Sequence, residues 1–307
     1  MGRVRDPLRA TQKTEGKDII VVDCSHVCYS SFFTMGHLMY EAHGTGIILG
    51  FLSQIFAACN RFKTHRVVLC WDSQKSNRKR LYPGYKEKRQ SSRDQEMEED
   101  PEKEAAFKDL FRQIHELRTF VIPTLGFKNN FRQTGYEADD LIAGIVLDYP
   151  DKCVVISTDN DLYQLLDFCD LYFVSKKKVY TKEDFQLEYG ILPMMWVDVK
   201  MLAGCPGDEV EGIKGVGIGR AVSYLKGELP DGVIKQRIES EEGQAIRERN
   251  DPLVRLPFGP KASRVLDFEE KFEKSNFVAV FEKYGFASLL SDKSMERLNK
   301  VFRFGKS

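Results

Sequence analysis

The residues with the clearest chemical potential are acids placed after apolar runs. Asp23 closes DIIVV, Asp72 follows RVVLCW, and Asp159 follows CVVIS after one threonine. Two tight groups join them: Glu137, Asp139 and Asp140 in YEADD, and Asp159 with Asp161 in STDND. Gathered carboxylates repel one another and raise each other's proton affinity unless something compensates. The usual compensation is a hard divalent cation, Mg²⁺ or Mn²⁺, which takes oxygen ligands. There are enough acids for two ions, and two ions about 4 Å apart can clamp the attacking and leaving oxygens of a phosphodiester. Taken singly, Asp139 or Asp161 reads as a helix cap or turn residue; taken together, the set reads as a metal centre. The five histidines (26, 37, 43, 65 and 115) form no Ser–His or Cys–His arrangement and read as surface or core. His26, three residues after Asp23, is the one of them placed near the acids.

Such acids converge only if the chain carries them to one place. The runs 18–22, 66–71, 119–122, 153–157 and 170–174 are continuous and rich in β-branched residues, as expected of strands buried on both faces. Between the first two, 45–62 places Ile48, Phe51, Leu52, Ile55, Phe56 and Cys59 at helical spacing, and Ala138 through Val146 does the same. This alternation predicts an α/β fold with a mostly parallel sheet and helices on both faces, over about 17–185. Ligands of open parallel sheets bind beyond the carboxyl ends of the strands, where Asp23, Asp72 and Asp159 stand. Residues 1–17 read as a tail without an apolar core of its own. Thr181 opens a capping turn, and 186–307 reads as helical and loop-rich, with short helices at 196–203 and 219–226.

Charge is balanced overall and unbalanced locally. In 307 residues, 46 Lys+Arg meet 46 Asp+Glu, which excludes a globally basic nucleic-acid coat. Binding depends on where charge sits, and eight basic residues fall between 75 and 93 against the single acid Glu87. Seven acids then follow within 94–104. The segment reads either as a solvated charged face or as a basic arm gripping a polyanion. In RKRLYPGYKEKR, Arg80 and Lys88 suit phosphate, and Tyr82 and Tyr85 suit base stacking. The hairpin GIKGVGIG (212–219) lies between two helices; its GxGxG order is not the strand–GxGxxG–helix of dinucleotide sites, and it suits gripping a DNA strand through the backbone. Seven cysteines without a CxxC pair, mostly in apolar runs, read as reduced and cytosolic. No stretch approaches 18 apolar residues, so no membrane partner is expected.

VVDCSH, VVLCWDSQKS, R-x₄-P-x-YK-x₂-R, YEADDLIA, ISTDNDLYQLL and LAGCPGDEVEGIKGVGIGRA occur in this order over about 18–230. In order and spacing they resemble the 5′ nucleases: bacteriophage 5′→3′ exonucleases, the 5′-nuclease domain of bacterial DNA polymerase I, and flap endonucleases. The resemblance implies a PIN-like α/β domain (18–185), a helical arch at about 73–118 and a helix–three-turn–helix motif in the helical region 186–307. It implies a two-metal site, with Asp23, Asp72, Glu137, Asp139 and Asp140 in one cluster and Asp159, Asp161 and Asp208 in the other. It further implies that Lys86 meets the scissile phosphate with Arg78 and Arg89 beside it. By the same resemblance, Gly212, Lys214, Gly215, Gly217, Gly219 and Arg220 hold duplex DNA, the backbone around Gly212, Gly215 and Gly217 taking a monovalent cation such as K⁺. The implied protein is a cytoplasmic monomer, of phage or bacterial type, acting with replication proteins on DNA with a 5′ flap, nick or free 5′ end or on RNA–DNA hybrids. The family commonly carries two aspartates in GDxxDN; here Cys205 stands at the first and Asp208 at the second. That departure leaves the second metal one acid short and keeps open a branched-DNA-binding protein that does not cut. An RNA-only PIN nuclease is a further alternative, whereas a DxD phosphatase would need an acid two residues after Asp23, where Ser25 stands.

Overall fold

The computed structural model describes residues 16–259 and 264–305, so the expected tail lies almost wholly outside the described residues. Six strands form one sheet: β1 (Ile19–Asp23), β2 (Val67–Trp71), β3 (Asn130–Arg132), β4 (Cys153–Ile156), β5 (Cys169–Phe173) and β6 (Lys178–Tyr180). Their spatial order is β3-β2-β1-β4-β5-β6. The first five are parallel, and β6 returns antiparallel to β5. Every residue of β2 and β4, and all of β1 before Asp23, is buried, which is why these strands read as unbroken apolar runs. In register, Asp23 lies opposite Cys70 and Val22 opposite Ile156, so Asp23, Asp72 and Asp159 leave the sheet at the same rim.

Alternate strand residues divide the core. Ile20, Val22, Leu69, Trp71 and Val154 pack on α1 (Cys24–Met35), α2 (Gly46–Phe62) and the C-terminal helices α12 (Lys274–Lys283) and α13 (Asp292–Phe302). Val21, Val68, Cys70 and Val155 pack with α6 (Ala138–Asp148), α8 (Trp196–Ala203) and α9 (Ile218–Leu225) on the other face. Between β2 and β3 the chain forms α3 (Asn77–Leu81), α4 (Glu87–Glu99) and α5 (Pro101–Glu116). Asp100 caps α5 through the amides of Glu102 and Lys103. Buried Gln113 ties its far end to α2, accepting from Ile47 and Ile48 amides at 3.0 and 3.1 Å. Beyond β6 come α7 (Lys182–Tyr189), opened by a Thr181–Asp184 capping box, then α10 (Val233–Glu239) and α11 (Glu241–Val254).

One strand expectation fails. Residues 119–122 continue the helical path of α5 through Leu117–Val121 and Ile122–Leu125. Leu117, Val121, Ile122 and Leu125 are all buried, and their spacing is that of a helix face, which overrides the β-branched content of the run. The strand in that place is β3, three residues long and polar enough to leave little trace in the sequence.

The C-terminal helices matter to the core beneath the site. Phe277 is fully buried and meets Phe272, Phe281, Phe302 and Phe304 ring to ring, and it stacks on Phe56 of α2. Phe277→Ala is expected to destabilise the fold by about 3–5 kcal/mol, measured by urea unfolding.

Candidate metal centre

The strand-end acids are held first by backbone and hydroxyl donors. Asp23 is the N-cap of α1, its Oδ1 accepting the His26 amide at 3.0 Å, while Oδ2 accepts from Ser157 Oγ at 3.1 Å. Ser157 Oγ in turn accepts the Asp159 amide at 3.1 Å, so one hydroxyl joins the ends of β1 and β4. Asp159 caps the short 3₁₀ turn after β4 through the Asp161 amide at 2.9 Å. Asp72 Oδ1 accepts the Ala138 amide at 2.8 Å and pins the start of α6 beside β2. These bonds follow from local sequence: a short acid at a strand end is also the preferred cap of the helix that follows.

Among the described residues, no lysine or arginine pairs with Asp23. Burial, followed by the charges of Asp72 and Asp159, pushes its carboxyl up to about 7, despite the His26 and Ser157 hydrogen bonds. Asp139, at the start of α6, is likewise raised, by burial and then by Asp140. His26 Nε2 lies 3.2 Å from Thr158 Oγ1, and burial lowers its proton affinity.

The adjoining cluster is compensated from within the protein. Glu137 and Asp140 form a reciprocal capping box at the start of α6. Asp140 takes two N–H groups of Arg78 at 2.7 and 2.8 Å, the Glu137 amide at 3.0 Å and the Phe258 amide at 2.7 Å. Glu137 Oε2 accepts from Lys86 Nζ at 2.8 Å and the Tyr85 hydroxyl at 3.0 Å, and Oε1 accepts from Ser76 at 3.3 Å. Burial alone would raise Glu137, but the Lys86 and Arg78 charges outweigh it and hold its carboxyl below the ordinary value. Lys86 runs the opposite way: burial favours losing its proton, and Glu137, Asp208 and Asp139 more than restore it. Asp208 stands 3.8 Å from Lys86 Nζ and 3.4 Å from the Tyr85 hydroxyl.

Three expected roles need correction on this geometry. Arg78 was expected beside the substrate phosphate; it is 2% exposed, donates Nε to the Leu253 carbonyl and locks Asp140. Asp140 was expected as a metal ligand, yet both its oxygens are engaged by Arg78 and main-chain amides. Tyr85 was expected to stack on bases, but it is buried and its hydroxyl serves Glu137 and Asp208. Tyr82 packs against the small cluster around Tyr85, with Arg249 over its ring. Arg80 and Lys88 are exposed, and the side chain of Arg89 lies outside the described residues.

At the second cluster, Asp161 Oδ1 lies 2.5 Å from Lys200 Nζ, an ammonium of α8 that is 7% exposed. Burial raises Asp161 and Lys200 partly offsets it. Cys205 is buried beside them, its thiol pushed up to about 12 by burial and then by the Asp161 charge. A neutral thiol therefore stands where the resemblance has an acid. Lys200 was missed in the sequence; its signal was a lone lysine in the apolar stretch WVDVKMLA. α11 backs this region, with buried Asn250 donating Nδ2 to the Met201 and Glu211 carbonyls at 3.0 and 2.9 Å.

The hairpin is built as its glycines suggest. Gly215 has φ +85°, and a Cβ on Gly212 would stand 2.2 Å from the Ala203 carbonyl carbon. Gly217 caps α9, while Lys214, Gly215, Gly217, Gly219 and Arg220 are exposed. Arg220 donates to the Gly215 carbonyl at 2.5 Å and Arg237 to that of Lys214 at 3.2 Å. Two carbonyls of the hairpin backbone, those of Lys214 and Gly215, are thus already engaged by guanidinium groups.

Among the described residues, no three His, Cys, Asp or Glu side chains are gathered tightly enough to enclose an ion as they stand. The donor chemistry nevertheless fits a hard cation. Asp23, Asp72 and Asp159 offer oxygen ligands on one rim, and among the described residues the partly buried Asp23 has no ammonium or guanidinium partner.

A carboxyl raised from 3.8 to about 7 binds more protons folded than unfolded in that window, so Asp23 makes the metal-free fold less stable as pH rises through it. Glu137 is lowered from 4.5, so its stabilising effect is complete before pH 6 and does not mask the slope. The melting temperature without metal is expected to fall between about pH 5 and 7, and Asp23→Asn to make that slope shallower, Asp139 and Glu270 being raised as well. Millimolar Mg²⁺ is expected to raise the wild-type melting temperature at pH 7.5 and to raise that of Asp23→Asn by clearly less.

The family model described as "5'-3' exonuclease, N-terminal resolvase-like domain" matches residues 18–190, over half the chain. The 5'-3' exonuclease of Buchnera aphidicola subsp. Schizaphis graminum is 30% identical over 220 residues, covering 69% of this chain and 71% of that one. The 5'-3' exonuclease of Bacillus subtilis is 31% identical over 222 residues, covering 68% and 69%. In fold, the chain is similar to bacteriophage T5 5'-exonuclease solved with divalent zinc ions, with a TM-score of 0.67 at 17% identity, over 93% of this chain and 99% of that one. Flap endonuclease-1 from Methanococcus jannaschii gives a TM-score of 0.54 at 11% identity, covering 94% and 93%.

Proposed function

Because the chain belongs to the 5′-3′ exonuclease family, we propose that it is a structure-selective 5′ nuclease that uses divalent cations to hydrolyse phosphodiesters near 5′ ends and junctions. The observation that carries this reading is the delivery of Asp23, Asp72 and Asp159 to one sheet rim, with no lysine or arginine, among the described residues, on the partly buried Asp23. The cations are Mg²⁺ or Mn²⁺, bound as two ions. Asp23, Asp72 and Asp139 hold the first, and Asp159 with Asp208 serves the second, at which Cys205 and the Lys200-paired Asp161 leave a thinner donor set. When bound, these ions supply a more acidic water and a Lewis acid for the developing oxyanion.

The protein's own groups orient and balance charge. Lys86 is about one-third exposed, within reach of both Glu137 and Asp208, and is the ammonium best placed to meet the scissile phosphate. Arg78 fixes Asp140, and with it the first turn of α6, so that Glu137 and Asp139 keep their places. The helices α4 and α5 form the arch over the site, with Lys88 of α4 and Arg80 of the preceding α3 offered to the 5′ strand, a role the family resemblance extends to Arg89. The hairpin 212–219 and Arg220 hold the duplex without reading sequence. Substrates are DNA with a 5′ flap, a nick or a free 5′ end, RNA–DNA hybrids included, and the products carry 5′-phosphates. Such cleavage serves removal of primers or flaps in replication.

The decisive assay is cleavage of an end-labelled 5′-flap duplex with Mg²⁺ and with Mn²⁺. Asp159→Asn is expected to abolish product while the affinity for the flap, read with Ca²⁺, stays within a few-fold of wild type. Binding without any cleavage by the wild-type chain would turn the reading to a branched-DNA-binding protein. Lys86→Ala is expected to lower kcat by about 10²–10³ with a smaller change in KM, because the ammonium acts on charge that develops in the transition state.

A further inference from the structure

The end of α11 is bonded to both acidic groups. A helix leaves its last carbonyls without intrahelical partners, and at this end three carbonyls are taken by side chains from the site. Arg78, which locks Asp140, donates to the Leu253 carbonyl at 2.9 Å and to that of Arg255 at 3.3 Å. Gln164, in the turn after Asp159, donates Nε2 to the Val254 carbonyl at 3.1 Å. Two amides of the same stretch donate in return, Leu256 to Gln164 Oε1 at 2.9 Å and Phe258 to Asp140 Oδ1 at 2.7 Å. Along 253–258 the main chain thus alternates between Gln164 on one side and Arg78 with Asp140 on the other.

Gln164 completes the connection. Its Nε2 also donates to the Asp161 carbonyl at 2.8 Å, inside the turn that Asp159 caps. Both its N–H groups and its oxygen are engaged, and the residue is 9% exposed. With the amide reversed, its oxygen would face two carbonyls and its nitrogen an N–H, so one orientation alone satisfies the network. The strap 253–258 is packed as well as bonded, with Leu253 and Val254 in the buried cluster of Tyr85, Met201 and Cys205. Removing a partner would leave buried polar groups unmet, which holds the strap to one spacing. Spacing decides function here, because two cations clamp a phosphodiester only when about 4 Å apart. The acids that would hold them start from separate elements, α6 and the turn after β4. We propose that Gln164 is a positioning residue that, through the 253–258 strap, sets the distance between the Asp159–Asp161 turn and the Glu137–Asp140 turn, and so between the two cation positions. The proposal rests on the nuclease reading and adds to it the element that spaces the site.

Q164M fills a similar volume without the hydrogen bonds and leaves Arg78 holding Asp140. Q164N keeps the amide but draws it back by one methylene, and it is measured beside Q164M so that the outcome does not hang on the folding of one variant. F277L, in the aromatic core of the C-terminal helices, is the control for lost stability. Mn²⁺ titration, followed by the electron paramagnetic resonance of the free ion, is expected to show two binding steps in the wild type. In both Gln164 variants the weaker step is expected to loosen about tenfold, and the tighter to stay within about twofold. On the 5′-flap duplex with Mg²⁺, kcat is expected to fall about 10- to 100-fold with KM within about threefold, the order of cost of a small displacement at a reacting centre. F277L is expected to show neither change. Gln164 variants that match F277L, equal loosening of both steps, or a single step in the wild type overturn the proposal. Two wild-type steps, the weaker loosened in Q164M, beside a flap left uncut by the wild type would remove the nuclease reading and keep the spacing role.

Discussion

Crowded negative charge at the end of a buried parallel sheet is the constraint that organises this protein. Three adjacent strands, β2, β1 and β4, each deliver an acid to the same rim, where Asp72 and Asp159 stay exposed and Asp23 is partly buried between them. Desolvation and mutual repulsion act together on Asp23, which has no lysine or arginine beside it among the described residues, and both show in its raised proton affinity. A fold optimised for stability alone would place asparagine at such a position. Keeping the acid makes sense where a cation completes the site, and the local instability is then a consequence of function.

The acids are managed by three physical means. Asp23, Asp72 and Asp159 accept hydrogen bonds from main-chain amides at the starts of the next helical turns, where the backbone already favours negative charge. Ser157 then joins two of the strand ends through one hydroxyl. Glu137, Asp140 and Asp161 are answered by ammonium or guanidinium groups from elements far away in the chain: Lys86 and Arg78 from the segment after β2, Lys200 from α8. The first means leaves a carboxylate free to gain a cation, whereas the bidentate Arg78 pair occupies both oxygens of Asp140. Within one acidic cluster the structure therefore separates groups suited to ligation from groups that fix position.

The same division makes the arm after β2 part of the site. Arg78 is tied to the α6 cap and to the carbonyls of Leu253 and Arg255 near the end of α11, and Tyr85 and Lys86 reach Glu137 and Asp208. The hydrogen bond from the Lys86 amide to the Asp208 carbonyl, at 3.0 Å, adds a main-chain link to the loop after Cys205. Movement of α4 and α5 would thus be felt at both acidic groups through short and specific bonds.

The strands β1, β2 and β4, the helices α2 and α6 and the rim acids could be read from sequence, because burial on both faces leaves unbroken apolar runs and each acid sits at a fixed offset from one. The hairpin 212–219 was legible for a similar reason, its glycines being required by local backbone geometry. Strand β3 was not, since three polar residues at a sheet edge carry little pattern, and 119–122 was misread because β-branched content spoke louder than the spacing of its neighbours. The composition of the arm suggested that Arg78 and Tyr85 were exposed to a ligand. Their burial and the Lys200–Asp161 pair were settled by tertiary structure alone. A sequence states which charges a chain owns and how each is spaced from its neighbours, but which charge answers which depends on through-space distance and on the water that folding removes.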